Sequence, residues 1–124
     1  MKYSLVFLSL FMGLSVFSQK NPFRQVYLFS PSEKNADLIE QQQIFAADTE
    51  GVKERDLRLT VILEVSDKAK LFKRYKIVPD KFTFVLIGKD GGEKFRSSKI
   101  VSLQALFALI DGMPMRKDEM RKRR

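Results

Sequence analysis

The sequence predicts an α/β fold: a four-stranded mixed sheet in the element order β-α-β-α-β-β-α, with helices on both faces. Two observations carry that expectation. The apolar runs Gln25–Phe29, Leu57–Val65 and Phe82–Ile87 are short and rich in β-branched or aromatic residues, as buried strands are. Helix-length segments separate the first two runs, which makes them parallel with a right-handed crossover, whereas the third run meets a glycine turn and returns antiparallel.

The elements follow in order. Gln19–Arg24 is a short polar lead-in, and QVYLF (Gln25–Phe29) is the first strand. Ser30-Pro31-Ser32-Glu33 has the pattern of a helix start: a capping serine, a proline at the first helical position and a glutamate to complete a capping box. That helix is expected to run to about Thr49, with Ala36, Leu38, Ile39, Phe45 and Ala46 on its apolar face and Gly51 ending it. LRLTVILEV (Leu57–Val65) is nearly continuous in apolar residues and reads as a central strand covered on both faces. Ser66 or Asp67 then caps a short basic helix reaching Tyr75.

FTFVLI (Phe82–Ile87) is the third strand, Asp90-Gly91-Gly92 the turn, and Glu93–Ser98 a polar, alternating return strand at an edge. Ser102 caps the next helix, where Leu103, Leu106, Phe107 and Ile110 form the stripe that packs on a sheet. Gly112 stops it, and Pro114 starts a further charged helical turn that leads into a basic tail.

Composition bounds the chemistry. The chain has no cysteine and no histidine. A thiol nucleophile, a redox pair, a thiolate metal site, a Ser-His-Asp triad and an imidazole-held zinc are all excluded. Thiol-disulfide oxidoreductase activity is excluded with them, and no cofactor is expected. Any catalysis has to use carboxylates, Lys, Arg, Tyr, Ser or backbone amides.

The first eighteen residues have the pattern of a cleavable export signal. Lys2 supplies the positive start, Leu5–Leu14 is an apolar run broken only by Ser9 and Gly13, and Val16 and Ser18 suit cleavage before Gln19. The run is too short for the roughly 20 apolar residues of a membrane span. The expected organisation is a signal peptide over 1–18, one domain over 19–115 and a basic tail over 116–124. The expected location is periplasmic or secreted, without a transmembrane span after cleavage.

The net charge is +8, and Arg116–Arg124 alone holds six basic and two acidic residues. A second basic cluster contains Lys68, Lys70, Lys73, Arg74, Lys76 and Lys81. For an exported protein the matching partners are anionic envelope surfaces or acidic proteins rather than nucleic acid.

The element order resembles that of thioredoxin-like proteins. Those proteins carry reactive cysteines at the start of the helix after the first core strand, where this chain reads SPSEKNAD (Ser30–Asp37). They also place a cis-proline just before the hairpin, where Phe82 stands here and Pro79 lies three residues early. The resemblance therefore implies the fold without the redox activity. A nearer likeness lies in LIGKDGGEKFRS (Leu86–Ser97), ALIDGMPMR (Ala108–Arg116) with Glu119 and Met120 beyond, LFSPS (Leu28–Ser32) and the Arg55-Asp56 pair. Together these resemble the family called domain of unknown function 4174, exported and thioredoxin-like, and that resemblance implies no catalytic residue.

The charged residues of the two C-terminal strings form the candidate site. GKDGG leads into a strand rather than a helix, so it reads as a hairpin turn and not as a phosphate loop. Asp90 and Glu93 are too few oxygens for calcium. Lys94 and Arg96 read either as edge protection or as an anion site completed by Lys89 or Arg116. Asp111 with Arg116, and Arg55 with Asp56, read either as structural ion pairs or as groups that orient a carboxylate or phosphate. Met113 and Met115 fill space under a helix end or meet an apolar partner.

Two functional classes follow, beside a third, electrostatic adhesion to the envelope through Arg116–Arg124. One is a non-redox thioredoxin-like binding or interaction module of the cell envelope. The other is an enzyme or anion-binding domain built from Arg55, Asp56, Lys94, Arg96, Asp111 and Arg116.

Overall fold

The computed structural model describes residues 21–123. The export signal expected over residues 1–18 lies outside the described residues. The order is β1 (Arg24–Ser30), α1 (Ala36–Ala46), α2 (Thr49–Glu54), β2 (Leu57–Leu63), α3 (Lys70–Arg74), β3 (Thr83–Ile87), β4 (Glu93–Ser97), α4 (Leu103–Asp111) and α5 (Pro114–Lys122). The strands form one sheet in the order β2-β1-β3-β4. β1 and β2 are parallel, and β3 runs antiparallel to both β1 and β4. Strand directions and helix placement agree with the expected arrangement.

Strand alternation sorts the core into two layers. Val26, Leu28, Phe84 and Leu86 face one side and pack with Leu38 and Phe45 of α1 and Leu106 and Ile110 of α4. Phe29, Val85 and Ile87 face the other side and pack with Phe72 of α3, beside Tyr27 and Tyr75. The second layer is small and aromatic. The Phe29 and Phe72 rings meet edge-on with centroids 5.0 Å apart, a favoured geometry for aromatic pairs.

Three expectations are corrected. First, the segment read as a single helix from Ser30 is two helices. Ser30 is the last residue of β1, and its hydroxyl donates to the Ser32 carbonyl at 2.7 Å. Asn35 is the actual cap of α1, accepting from the Leu38 amide at 3.1 Å. Asp48 caps α2 by accepting from the Gly51 amide at 2.9 Å. Gly51 therefore lies inside a helix rather than ending one. A Cβ there would sit 2.6 Å from the Phe107 ring, so glycine lets α2 approach α4.

Second, β2 is an edge strand, not a central one. Its apolar run is nonetheless explained. Leu57, Leu59, Val61 and Leu63 pack on the first layer and Ile62 on the second. Such a run reports helices over both faces, and not the number of strands beside it.

Third, α3 begins later than Ser66 or Asp67. Ser66 instead holds a turn, donating to the Leu63 carbonyl at 2.8 Å, and Ala69 stands at the helix start without a side-chain cap.

The hairpin is built as expected around Asp90, which accepts from the Gly92 amide at 2.9 Å. Gly91 alone among the described glycines has positive φ, at 85°. β4 carries a bulge: Phe95 faces Leu86 and Glu93 faces Ile87, leaving Lys94 as the extra residue. Ser102 caps α4 as expected, accepting from the Ala105 amide at 3.1 Å. The charged helix expected to start at Pro114 is present and continues to Lys122.

One buried polar contact had no sequence signature. Gln41 of α1 is fully buried. Its side-chain amide donates to the Val101 carbonyl at 2.8 Å and accepts from the Val101 amide at 2.7 Å, tying α1 to the segment that leads into α4.

Candidate functional site

The two C-terminal strings meet. Gly88, Lys89, Asp90 and Lys94 of the hairpin line a cleft of about 360 Å³ with Arg24 and the Met113-Pro114-Met115 corner. Beside it lies a dense set of ion pairs between the end of the sheet, α2, α4 and α5.

Asp111, at the end of α4, is one centre of the set. It accepts two hydrogen bonds from the Arg55 guanidinium, Nε at 3.0 Å and Nη2 at 2.8 Å. It accepts a third from Arg116 Nε at 3.1 Å. Arg55 also donates to the Gly51 carbonyl at 3.0 Å and stacks over Phe107 with 3.9 Å to the ring centroid. Arg116 is 1% exposed and spends its remaining donors on the Glu54 carbonyl and carboxylate, both at 3.2 Å.

Glu119 is the second centre. It takes a bidentate fork from Arg24 at 3.2 and 2.8 Å and lies 3.1 Å from Lys89 Nζ. Arg24 is 2% exposed. Its third contact is the Arg55 carbonyl at 2.9 Å, which joins the two centres. Asp56 accepts from Lys89 at 2.8 Å and from Arg123 at 3.0 Å. Asp56 also has φ of 51°, the left-handed conformation of a residue that stops a helix, here just beyond α2.

Four of the six candidates therefore converge: Arg55, Asp56, Asp111 and Arg116. Lys94 and Arg96 do not join them. Lys94 pairs with Asp90 at 2.7 Å within the hairpin. Arg96 pairs with Glu93 and donates to the Tyr75 carbonyl at 2.7 Å, linking β4 to the end of α3. Sequence reading did not find Arg24, Glu54 or Arg123. Arg24 stands at the head of an apolar strand and reads as lead-in, while Glu54 and Arg123 sit on charged stretches like any solvated residue.

The electrostatics are those of closed pairs. The Arg55 guanidinium outweighs burial and, with Arg116, holds the Asp111 carboxyl below its ordinary value of 3.8. Burial pushes Asp56 up, but Lys89 and Arg123 outweigh it and bring it below 3.8. Burial likewise opposes ionisation of Glu119, and Arg24 with Lys89 brings it below 4.5. For Arg116 burial works against the charge, and hydrogen bonds to Asp111 and Glu54 more than restore it. Among the described residues no buried side-chain nitrogen or oxygen lacks a hydrogen-bond partner.

This predicts a direction for acid unfolding. Carboxyls with depressed folded-state pKa values bind fewer protons than the unfolded chain does as pH falls through 4.5 and 3.8. Their stabilisation is complete above those values and is lost as pH falls through the lower folded ones. The melting temperature should stay level near neutrality and fall steeply below about pH 4, as thermal melts across that range would read.

The family described as domain of unknown function 4174 matches residues 14–119. The chain belongs to that family. Both C-terminal strings, the Arg55-Asp56 pair and Glu119 fall inside the matched span. No curated protein matches the chain.

Among solved structures, reduced 2-Cys peroxiredoxin from Plasmodium vivax is similar at 14% identity and a TM-score of 0.62, over 82% of this chain and 84% of the other. Plasmodium yoelii thioredoxin peroxidase I is similar at 17% identity and a TM-score of 0.61, over 82% and 79%. At such identities the likeness shows the fold: this member of the family is a thioredoxin-like α/β domain. Ser30 at the end of β1 and Ser32 and Asn35 after it are all engaged in local hydrogen bonds. No peptide bond among the described residues is cis.

Proposed function

We propose that this chain is a non-redox binding or interaction module of the cell envelope, exported by cleavage after Ser18. The observation that carries the non-redox part is a thioredoxin-like fold in a sequence with no cysteine. The pairing of Arg55, Asp56, Asp111 and Arg116 with one another and with Glu54, Lys89 and Arg123 supports a structural role for the motif charges. Among the described residues no helix is long and apolar enough to cross a membrane, which is compatible with a released domain. The basic balance, +8 overall, favours anionic partners.

The purified domain should fail to reduce insulin disulfides with dithiothreitol as electron source, whereas turnover above the uncatalysed rate would overturn the reading. Mass spectrometry of the exported protein should place its first residue at Gln19. An uncut leader would overturn the export part alone.

One observation favours a second reading, an anion-binding or catalytic domain that uses Arg55, Asp56, Lys94, Arg96, Asp111 and Arg116. The two motif strings meet at the cleft beside Lys89 and Lys94. Saturable phosphate binding, lost in Lys94→Ala, would support it. The carboxylates already on each of these cations weigh against it.

A further inference from the structure

The two edges of the sheet are treated differently. β4 has the features that discourage strand pairing: five residues, a bulge at Lys94 and charges at Lys94 and Arg96. β2 has none of them beyond Arg58. It spans seven residues without proline, keeps an unbroken register with β1 from Leu57 to Leu63, and pairs with no other strand among the described residues. Leu59, Thr60 and Val61 are half-exposed there.

Strand alternation gives the two sides of this edge opposite character. On the side of α1 and α2, Leu57 and Leu59 open onto a groove of about 820 Å³ whose apolar wall is Phe45 and Val52 and which the charged Glu50 and Lys53 also line. On the side of α3, Arg58 and Thr60 line a second depression, of about 360 Å³, together with Tyr27, Lys68 and Lys70. Arg58, Lys68 and Lys70 pair with no carboxylate among the described residues, although the Arg58 guanidinium stacks over the Phe23 ring at 4.0 Å to its centroid. This contrasts with the cations at the motif end of the sheet, which are closed by acids.

We infer that the β2 edge receives an extended, acidic partner segment as a fifth strand, with apolar side chains on the Phe45–Leu59 groove and carboxylates toward Arg58, Lys68 and Lys70. Main-chain hydrogen bonds to β2 hold the segment, and the alternate side chains select it. A strand's period of two delivers one chemistry to each face, which is the pattern the two depressions require. A second copy fits poorly, because twofold pairing through β2 brings the same three cations against their counterparts.

This inference rests on the binding-module reading and names its partner class. It is tested with three synthetic peptides of alternating residues, valine–glutamate, valine–lysine, and valine–glutamate N-methylated at every amide so that neither edge keeps a donor. The acidic peptide should bind the mature domain and slow amide hydrogen exchange in β2 but not in β4. The basic peptide should bind at least about tenfold more weakly, and the N-methylated one, which cannot pair on that edge, should not bind.

Reversing Arg58→Glu, Lys68→Glu and Lys70→Glu together, all on exposed side chains, should invert the preference between the acidic and basic peptides. Equal binding of all three peptides, protection at β4, or an unchanged preference in the triple variant would overturn the proposal. So would a domain that self-associates through β2, or one that binds anionic vesicles through the same cations with no added protection in β2. Insulin reduction would instead overturn the module reading and leave the β2 result standing.

Discussion

Replacing Glu119 with alanine is expected to lower the unfolding free energy by about 2–4 kcal/mol. The reasoning is the asymmetry of buried pairs: making one yields little, while removing one partner strands the other. Arg24 is 2% exposed, and among the described residues Glu119 is its only carboxylate. Without it the guanidinium keeps a single acceptor, the Arg55 carbonyl. The estimate sits below the range for fully buried pairs because Glu119 itself is 17% exposed and water can reach part of the gap. Glu119→Gln, which keeps one acceptor oxygen and the shape, should fall between alanine and wild type. Urea unfolding followed by far-UV circular dichroism measures all three.

Asp111→Ala is the second large effect, at about 2–3 kcal/mol. Asp111 serves two arginines from two other segments, Arg55 just after α2 and Arg116 in α5. Its loss leaves Arg116, 1% exposed, with the Glu54 contacts and a longer ion pair to Glu119 at 3.8 Å, and Glu54 is itself 59% exposed. α2 and α5 should both loosen against α4, seen as faster amide exchange at their facing ends. The surface pair of Lys94 and Asp90 supplies the contrast. Both members are more than a third exposed or nearly so, at 34% and 45%. Losing such a pair is worth about 0–1 kcal/mol. A ranking with Asp111→Ala and Glu119→Ala far above any variant of that pair is therefore expected.

Much of the fold was legible because it rests on local periodicity. The alternation of Val26 and Leu28 against Tyr27 and Phe29 sets the two faces of β1, and the stripe of Leu103, Leu106, Phe107 and Ile110 sets α4. The start of α1 was not legible. Ser30-Pro31-Ser32-Glu33 satisfies the local rules for a helix start, yet Ser30 is held in the ladder opposite Leu63. That pairing with a distant strand outweighs the local cap, and Asn35 becomes the first available cap residue. The position of β2 at an edge was hidden for a related reason, since helices over both faces produce the same apolar run as neighbouring strands do.

The site divided along the same line. Asp111 and Arg116 lie five residues apart, across one corner, and their pairing could be read from the sequence. Arg55 and Asp111 are 56 residues apart, and Arg24 and Glu119 are 95 apart. Nothing in spacing or periodicity marks those pairs. Packing of α2 against α4 creates the first, and the return of α5 past the head of β1 creates the second.

The motif charges and Arg24 brace the end of the sheet. A double-mutant cycle on Arg24 and Glu119, read by urea unfolding, tests this bracing most directly. A brace predicts that Arg24→Ala and Glu119→Ala each destabilise strongly and that the double variant loses much less than their sum, with a coupling above about 1 kcal/mol. Two single variants near wild-type stability, with coupling near zero, would contradict it and return these residues to the search for a ligand.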